Sequence, residues 1–331
     1  MTVRVQCSIL HSIFNELGAI FKNSEQFRAF NFTVKDGTLY INANTGIRYE
    51  ARIYNVGSGS ADINVLFQDV SEILPQSGEA SLELEPTYVL LSVGVFRITF
   101  SLANDTVVPM LTTNTAGDLS INTSSFYSNY KTLTNVATLR KAYKLDPYLC
   151  YTPESSYIKF PTVWIRTRGC GLSMSLDRLT AIAITVFSPT SYTVSGDVAY
   201  FYNSNAVMCI PFRIPEDNNF DAVIPTNGFN ASWDFEPVAT ALKKIVKVVG
   251  EGMCSIVLGE HGFSLRIMRK GINTVISFGD TTQLSKYTVQ VPIEILFNVA
   301  LLANTKVKVT YGGGKLWITS AYSDILMCVT S

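Results

Sequence analysis

The sequence predicts an α+β protein built from one helix–β unit used three times, with helices on one layer and sheets on the other. Three observations carry that prediction. Segments 31–53, 163–184 and 255–278 share one pattern: a short strand, a turn bearing Gly37, Gly171 or Gly262, then an alternating strand. A helical pattern precedes each segment, and a second group of strands follows it, over 80–102, 194–214 and 306–329.

In the first unit Leu10, Ile13, Phe14, Leu17 and Phe21 form an apolar stripe at helical spacing, and Leu39 and Ile41 take the inward positions of the meander. VLFQDVSEILPQ (65–76) reads as a second helix, and ASLELEPTYVLLSVGVFRITFSL as its strands. In the middle unit TLTNVATLRKAYKL (132–145) is a weaker helix, with Leu133, Val136 and Tyr143 on one face and Pro147 as its stop. Leu172 and Met174 continue the strand pattern, and SPTSYT (188–193) is too short for a second helix, so this copy is expected to be abbreviated. The third unit has helices in WDFEPVATALKKIVKVVGEG and VPIEILFNVALLAN, with Phe263, Leu265 and Ile267 as inward strand positions between them. Gly312, Gly313 and Gly314 lie between two strands and read as a hairpin turn. Pro109 and Pro225 mark the seams, giving domains 1–116, 117–226 and 227–331.

The helix of the third unit has an unusual polar face. Val238, Ala241, Leu242, Ile245 and Val249 share one side; Thr240, Lys243, Lys244 and Lys247 share the other, with no carboxylate among them. A solvated helix face usually interleaves both signs, because i,i+4 pairs of opposite charge stabilise it. The formal net charge is zero, yet the three units carry net charges of −4, +1 and +3. Three units in tandem form an arc, and a heterologous contact between an acidic first unit and a basic third unit would close arcs into a ring.

Composition narrows the function classes. Apolar residues make up 47% of the 331 and charged residues 16%, which supports sizeable cores and argues against disorder. Cys7, Cys150, Cys170, Cys209, Cys254 and Cys328 form no C-x-x-C pair, and only His11 and His261 accompany them, so buried thiols are expected and no metal or other cofactor. The G-x-S-x-G, H-E-x-x-H and P-loop patterns do not occur, and Asp177 beside Arg178 reads as a local ion pair, so the protein is not expected to be an enzyme. The start has neither a long apolar core nor a cleavage site, and no window approaches a membrane span, which points to the cytoplasm.

The order and spacing of several segments together resemble the bacterial DNA polymerase III β sliding clamps. DGTLYINAN, LPQSGEASLELEPTYVLLSVGVFRITF and LANDTVVPML are similar to the first clamp domain. LSMSLDRLTAIA resembles the second-domain segment in which a T-D-G-x-R-L-A run is usual, and NNFDAVIP resembles the exit from that domain. YTVQVPIEILFNVALLANTKVKVTYGGGKLWITS with ILMCVTS resembles the third domain and its tail. The T-D-G is replaced by Ser175, Leu176 and Asp177, and the low charge and richness in Thr and Asn resemble a divergent, phage-encoded member.

The resemblance implies a closed ring, helices inside and sheets outside, formed by two chains around double-stranded DNA and serving as a processivity factor. It implies that Lys243, Lys244 and Lys247, with Arg140, Lys141 and Lys144, face phosphates without reading sequence. It also implies a pocket for a short hydrophobic peptide of the polymerase or clamp loader. The matching positions are Arg178 and Leu179; Val223, Ile224 and Pro225; and Ile325, Met327 and Val329. A β-rich virion protein is the rival expectation, resting on the abundance of Thr, Ser and Asn.

Overall fold

The computed structural model describes residues 1–22, 29–104, 117–134, 136–215, 220–249, 252–269, 271–303, 305–321 and 323–330. The first repeat runs β1 (Thr2–Gln6), α1 (Cys7–Phe21), β2 (Ala29–Lys35), β3 (Thr38–Asn44), β4 (Arg48–Tyr54), β5 (Ala61–Leu66), β6 (Glu79–Glu85), β7 (Tyr88–Val93) and β8 (Phe96–Phe100). The middle repeat runs β9 (Leu119–Ser120), α2 (Thr123–Thr134), α3 (Ala137–Tyr143), β10 (Leu149–Tyr151), β11 (Ser155–Lys159), β12 (Val163–Arg168), β13 (Met174–Leu176), α4 (Arg178–Phe187), β14 (Ser191–Ser195), β15 (Val198–Tyr202) and β16 (Ala206–Pro211). After the connecting turn of helix α5 (Phe220–Val223), the third repeat runs β17 (Phe229–Asp234), α6 (Glu236–Val249), β18 (Met253–Gly259), β19 (Gly262–Arg269), β20 (Ile272–Gly279), β21 (Leu284–Pro292), α7 (Ile293–Ala303), β22 (Lys306–Gly312), β23 (Lys315–Thr319) and β24 (Asp324–Cys328).

The strongly patterned elements form where periodicity put them. The stripe of α1 is fully buried, and Phe14 stacks on Phe100 and meets Phe30 edge-on, with centroids 5.9 and 5.8 Å apart. Helix α6 starts where the Asp234 carboxylate accepts the Glu236 N–H at 3.0 Å, and Pro237 occupies its first turn, where an N–H has no intrahelical acceptor to lose. Gly313 and Gly314 take φ of 57° and 70° in the β22–β23 hairpin, a pair of left-handed conformations that a tight hairpin demands. Five cysteines are buried and Cys328 is exposed; burial pushes the Cys209 and Cys254 thiols up to about 11 and about 12, which leaves them unreactive.

Three expectations about helices are corrected. The second helix expected over 65–76 is absent: Val65 and Leu66 pair with β2, and only a 3-10 turn, Ser71–Ile73, follows. Asp69 accepts both the N–H and the hydroxyl of Ser71, at 3.0 and 2.7 Å, which closes a local turn in place of a helix. The middle repeat, expected to be abbreviated, instead has its second helix in α4, built on Ala181, Ile184 and Phe187 at i, i+3 and i+6. Its many β-branched residues imitate a strand, and burial against neighbours outweighs that propensity. The helix expected over 132–145 is two helices, α2 and α3, and Val136 is buried at the start of the second.

By compactness the chain forms two units, Met1–Thr123 with Leu179–Arg213, and Ser124–Arg178 with Ile214–Ser331. These cuts differ from boundaries at 116 and 226 because sheets run across the repeats. The first unit contains an eight-stranded sheet ordered β5-β2-β3-β4-β16-β15-β14-β9, and the second one ordered β13-β10-β11-β12-β24-β23-β22-β17. In both, the last strand of one repeat's meander pairs antiparallel with the last strand of the next repeat: Arg48 to Ala51 against Cys209 to Ala206, and Val163 to Arg166 against Met327 to Asp324. Each unit also holds a four-stranded sheet, β1-β6-β7-β8 in the first and β20-β19-β18-β21 in the second.

Candidate nucleic-acid and peptide interfaces

On α6 the expected apolar face is buried in part, with Ala241 and Ile245 half-buried. Val238 and Leu242 are fully buried, while Lys243, Lys244 and Lys247 are exposed and form no ion pair among the described residues. Helix α7 packs beside α6 and also beside α3, so the three helices are neighbours in the second unit. Lys141 on α3 is exposed, and so is Lys144, which ends that helix in a left-handed conformation. The side chain of Val249 lies outside the described residues.

Arg140 departs from this set. Its side chain is only 10% exposed, and its Nε lies 2.8 Å from the Asp146 carboxylate. Burial is the main influence on its guanidinium and holds it below the ordinary arginine value; Asp146 opposes that and the like charge of Arg178 adds to it. A buried, paired guanidinium fixes the end of α3 and is not presented for a phosphate. The helical pattern alone could not distinguish it from Lys141.

Among the residues expected to hold a peptide, Arg178 and Leu179 are exposed, Val223, Ile224 and Pro225 are half-buried, and Val329 is buried. Ile325 and Met327 are fully buried in β24, opposite Ile165 and Val163, and Leu326 between them is buried too. The alternation read from the sequence therefore does not give β24 an open apolar face; Ile325 and Met327 back the sheet and line no surface. Leu179 opens the segment assigned to the first compact unit, whereas Arg178 and the others belong to the second.

An ion network that periodicity could not reveal fixes the segment before Pro225. Arg166 on β12 donates to Asp221 at 2.6 Å and, through Nε and a terminal nitrogen, to Asp324 at 3.1 and 2.7 Å. Its guanidinium lies 4.4 Å from the ring centre of Phe220, which is buried. Burial alone would lower the Arg166 pKa, but the bonds and charges of Asp324 and Asp221 more than offset this and raise it. The partners are 55 and 158 positions away in the chain, a separation at which sequence spacing carries no signal.

No protein-family model matches the sequence, and no curated protein does. Solved structures do match along the whole chain. The DNA polymerase III beta subunit from Thermotoga maritima is 12% identical with a TM-score of 0.78, covering 100% of this chain and 99% of its own. The DNA polymerase sliding clamp from Caulobacter crescentus is 11% identical with a TM-score of 0.78, covering both chains completely. The Helicobacter pylori beta clamp bound to a DNA ligase peptide is 11% identical with a TM-score of 0.73, again with complete coverage. The chain has the sliding-clamp fold.

Proposed function

We propose that this chain is a DNA sliding clamp: a non-catalytic processivity factor whose two copies close a ring around duplex DNA, in the cytoplasm of a bacterium or a phage-infected host. The observation that carries the reading is the pair of four-stranded sheets. Within the chain, a meander ending in β4 or β12 joins the group ending in β16 or β24 to make eight strands. The meander ending in β20 and the group ending in β8 each have an edge with no partner among the described residues. Pairing β20 of one copy with β8 of another would complete the same eight-stranded sheet, twice, in a ring of six repeats. Transferring the register of the β4–β16 joint sets Ile276 opposite Phe96 and Val275 opposite Arg97; Phe96 and Val275 are both exposed in the single chain. The net charges of −4 and +3 on the first and third repeats favour that contact.

Lys243, Lys244 and Lys247, joined by Lys141 and Lys144, supply a phosphate-facing cationic surface in this reading. A ring needs attraction without base readout, since a base-specific contact would arrest sliding. The full-length likeness to clamps favours this over a virion role. The direct test is topological: once assembled on a nicked circular plasmid, the protein should stay bound through a high-salt gel-filtration step, and leave within minutes when the plasmid is cut. Equal loss from circular and linear DNA would defeat the reading.

The peptide-binding role is proposed for Arg178, Leu179, Val223, Ile224, Pro225 and Val329, with Ile325 and Met327 as their buried support. The clamp bound to a DNA ligase peptide makes short peptides of polymerase, loader or ligase the expected clients. Ile224→Glu puts a charge on a half-buried apolar position and should weaken a polymerase-derived hydrophobic peptide by at least about tenfold in fluorescence anisotropy, the range for removing a buried anchor. An unchanged affinity with an unchanged melting temperature would place the pocket elsewhere.

A further inference from the structure

The joint of β4 with β16 shows how one repeat closes on the next. A small cavity there is lined by Ile9, Ser12, Ile13 and Glu16 of α1 and by residues 203–206 of the turn between β15 and β16. Two hydrogen bonds hold the turn: the Asn205 carbonyl accepts the Arg52 N–H at 2.9 Å, and the Asn203 amide donates to Glu16 at 3.4 Å. The polar tip of the turn thus meets a polar residue of the helix.

The third repeat carries the helix side of the same joint without a turn to meet it. A groove in the second compact unit is lined by Pro237, Thr240, Ala241 and Lys244 of α6, with Ile245 and Ile276 beside them. Aligning the apolar stripe Leu10, Phe14 and Leu17 with Val238, Leu242 and Ile245 sets those first four residues on Ile9, Ser12, Ile13 and Glu16. In the seam register Ile276 takes the place of Ala51, and Phe96 of a second copy that of Ala206. Pro237, Ala241, Ile245 and Ile276 give the groove apolar walls. Lys244 adds its methylene stem, and its ammonium stays in water.

The same alignment selects what enters the groove. Val95 takes the place of Asn205, one position before the aligned pair. It stands at the tip of the β7–β8 hairpin, where Gly94 with a φ of 57° opens a two-residue turn. It is 92% exposed, more than any other large apolar side chain among the described residues. The two exchanges compensate in bulk. Ala241 replaces Ile13 on the helix and Val95 replaces Asn205 on the turn, so apolar volume missing from one wall returns on the other.

We propose that Val95 of one copy seats in the groove between α6 and β20 of the other, a knob-in-hole contact made twice in the ring. The proposal rests on the clamp reading and its β20–β8 seam, and it names the side chain and the receiving surface that close that seam beyond the paired strands.

The test is the dimer dissociation constant of the full chain, measured by sedimentation velocity over a dilution series. Val95→Ala removes two methyl groups of buried surface, about tenfold per seam and about a hundredfold for the two seams of a ring. Ala241→Leu fills the groove and should weaken the dimer as well. Val95→Ala combined with Ala241→Leu should return to within a few-fold of wild type, the signature of two side chains sharing one space. A wild-type constant for Val95→Ala, or single effects that simply multiply in the pair, would overturn the seating of Val95 while the dimer stands. A wild type that stays monomeric would overturn the seam and the seating together. Should Ala241→Leu not fold, iodoacetamide labelling of Val95→Cys decides, with the exposed Cys328 changed to Ser. The thiol should react at least about tenfold more slowly in the dimer than in the diluted monomer, and equal rates would overturn the proposal.

Discussion

Changing Lys243, Lys244 and Lys247 together to Glu should abolish retention on circular DNA while leaving the oligomer intact. Each lysine that neutralises a phosphate contributes close to one unit to the slope of log affinity against log salt, so three of them set a slope change of roughly three. At about 0.1 M salt that corresponds to at least about a hundredfold in affinity, and reversal adds repulsion. The stability cost is small, because all three are exposed and unpaired among the described residues, and substitutions of that kind usually stay within about 0.5 kcal/mol. Arg140→Glu should behave differently: it removes a buried guanidinium paired with Asp146 and should lower the melting temperature before it affects DNA. If the triple variant is retained as well as the wild type, α6 does not face the duplex.

Opening the ring at its seam should have the second large effect. Phe96 is 52% exposed in the single chain and Ile276 is half-buried, and the proposed register sets them opposite one another. Ile276→Asp with Phe96→Asp would then oppose two carboxylates across an antiparallel pair, which removes an apolar contact and adds repulsion. The expected result is a folded monomer that binds linear and circular DNA with the same short lifetime. Phe96→Asp with Ile276→Lys should partly restore the dimer, an outcome that a merely destabilised fold would not give. Retention of the dimer by the double-Asp variant would exclude this seam.

How far the sequence reached follows from the physics of each element. Periodicity found α1, α6, α7 and most strands, because their apolar positions fall on one face and that face is buried. It failed where local composition and tertiary burial disagree. In α4 the run Thr180, Ile182, Ile184, Thr185 and Val186 looks like a strand, yet Ala181, Ile184 and Phe187 bury as a helix. Around Ser71, the Asp69 cap stops a helix before it can nucleate. Charge was legible as a stripe on α6, but the pairing of Arg140 with Asp146 depends on geometry after α3 has ended. Arg166 and Asp324 meet only through sheet pairing, Asp221 joins them from α5, and Glu16 and Asn203 meet only through the joint of β4 with β16.

The central claim is that the chain closes with a second copy of itself through β20 and β8. Sedimentation equilibrium at low micromolar concentration tests it most directly. The account predicts a single species of about 73 kDa, twice the 36.5 kDa of one chain, unchanged by moderate dilution. A stable 36.5 kDa species would contradict it, leaving the two half-sheets with open edges and the lysines of α6 with no ring to line.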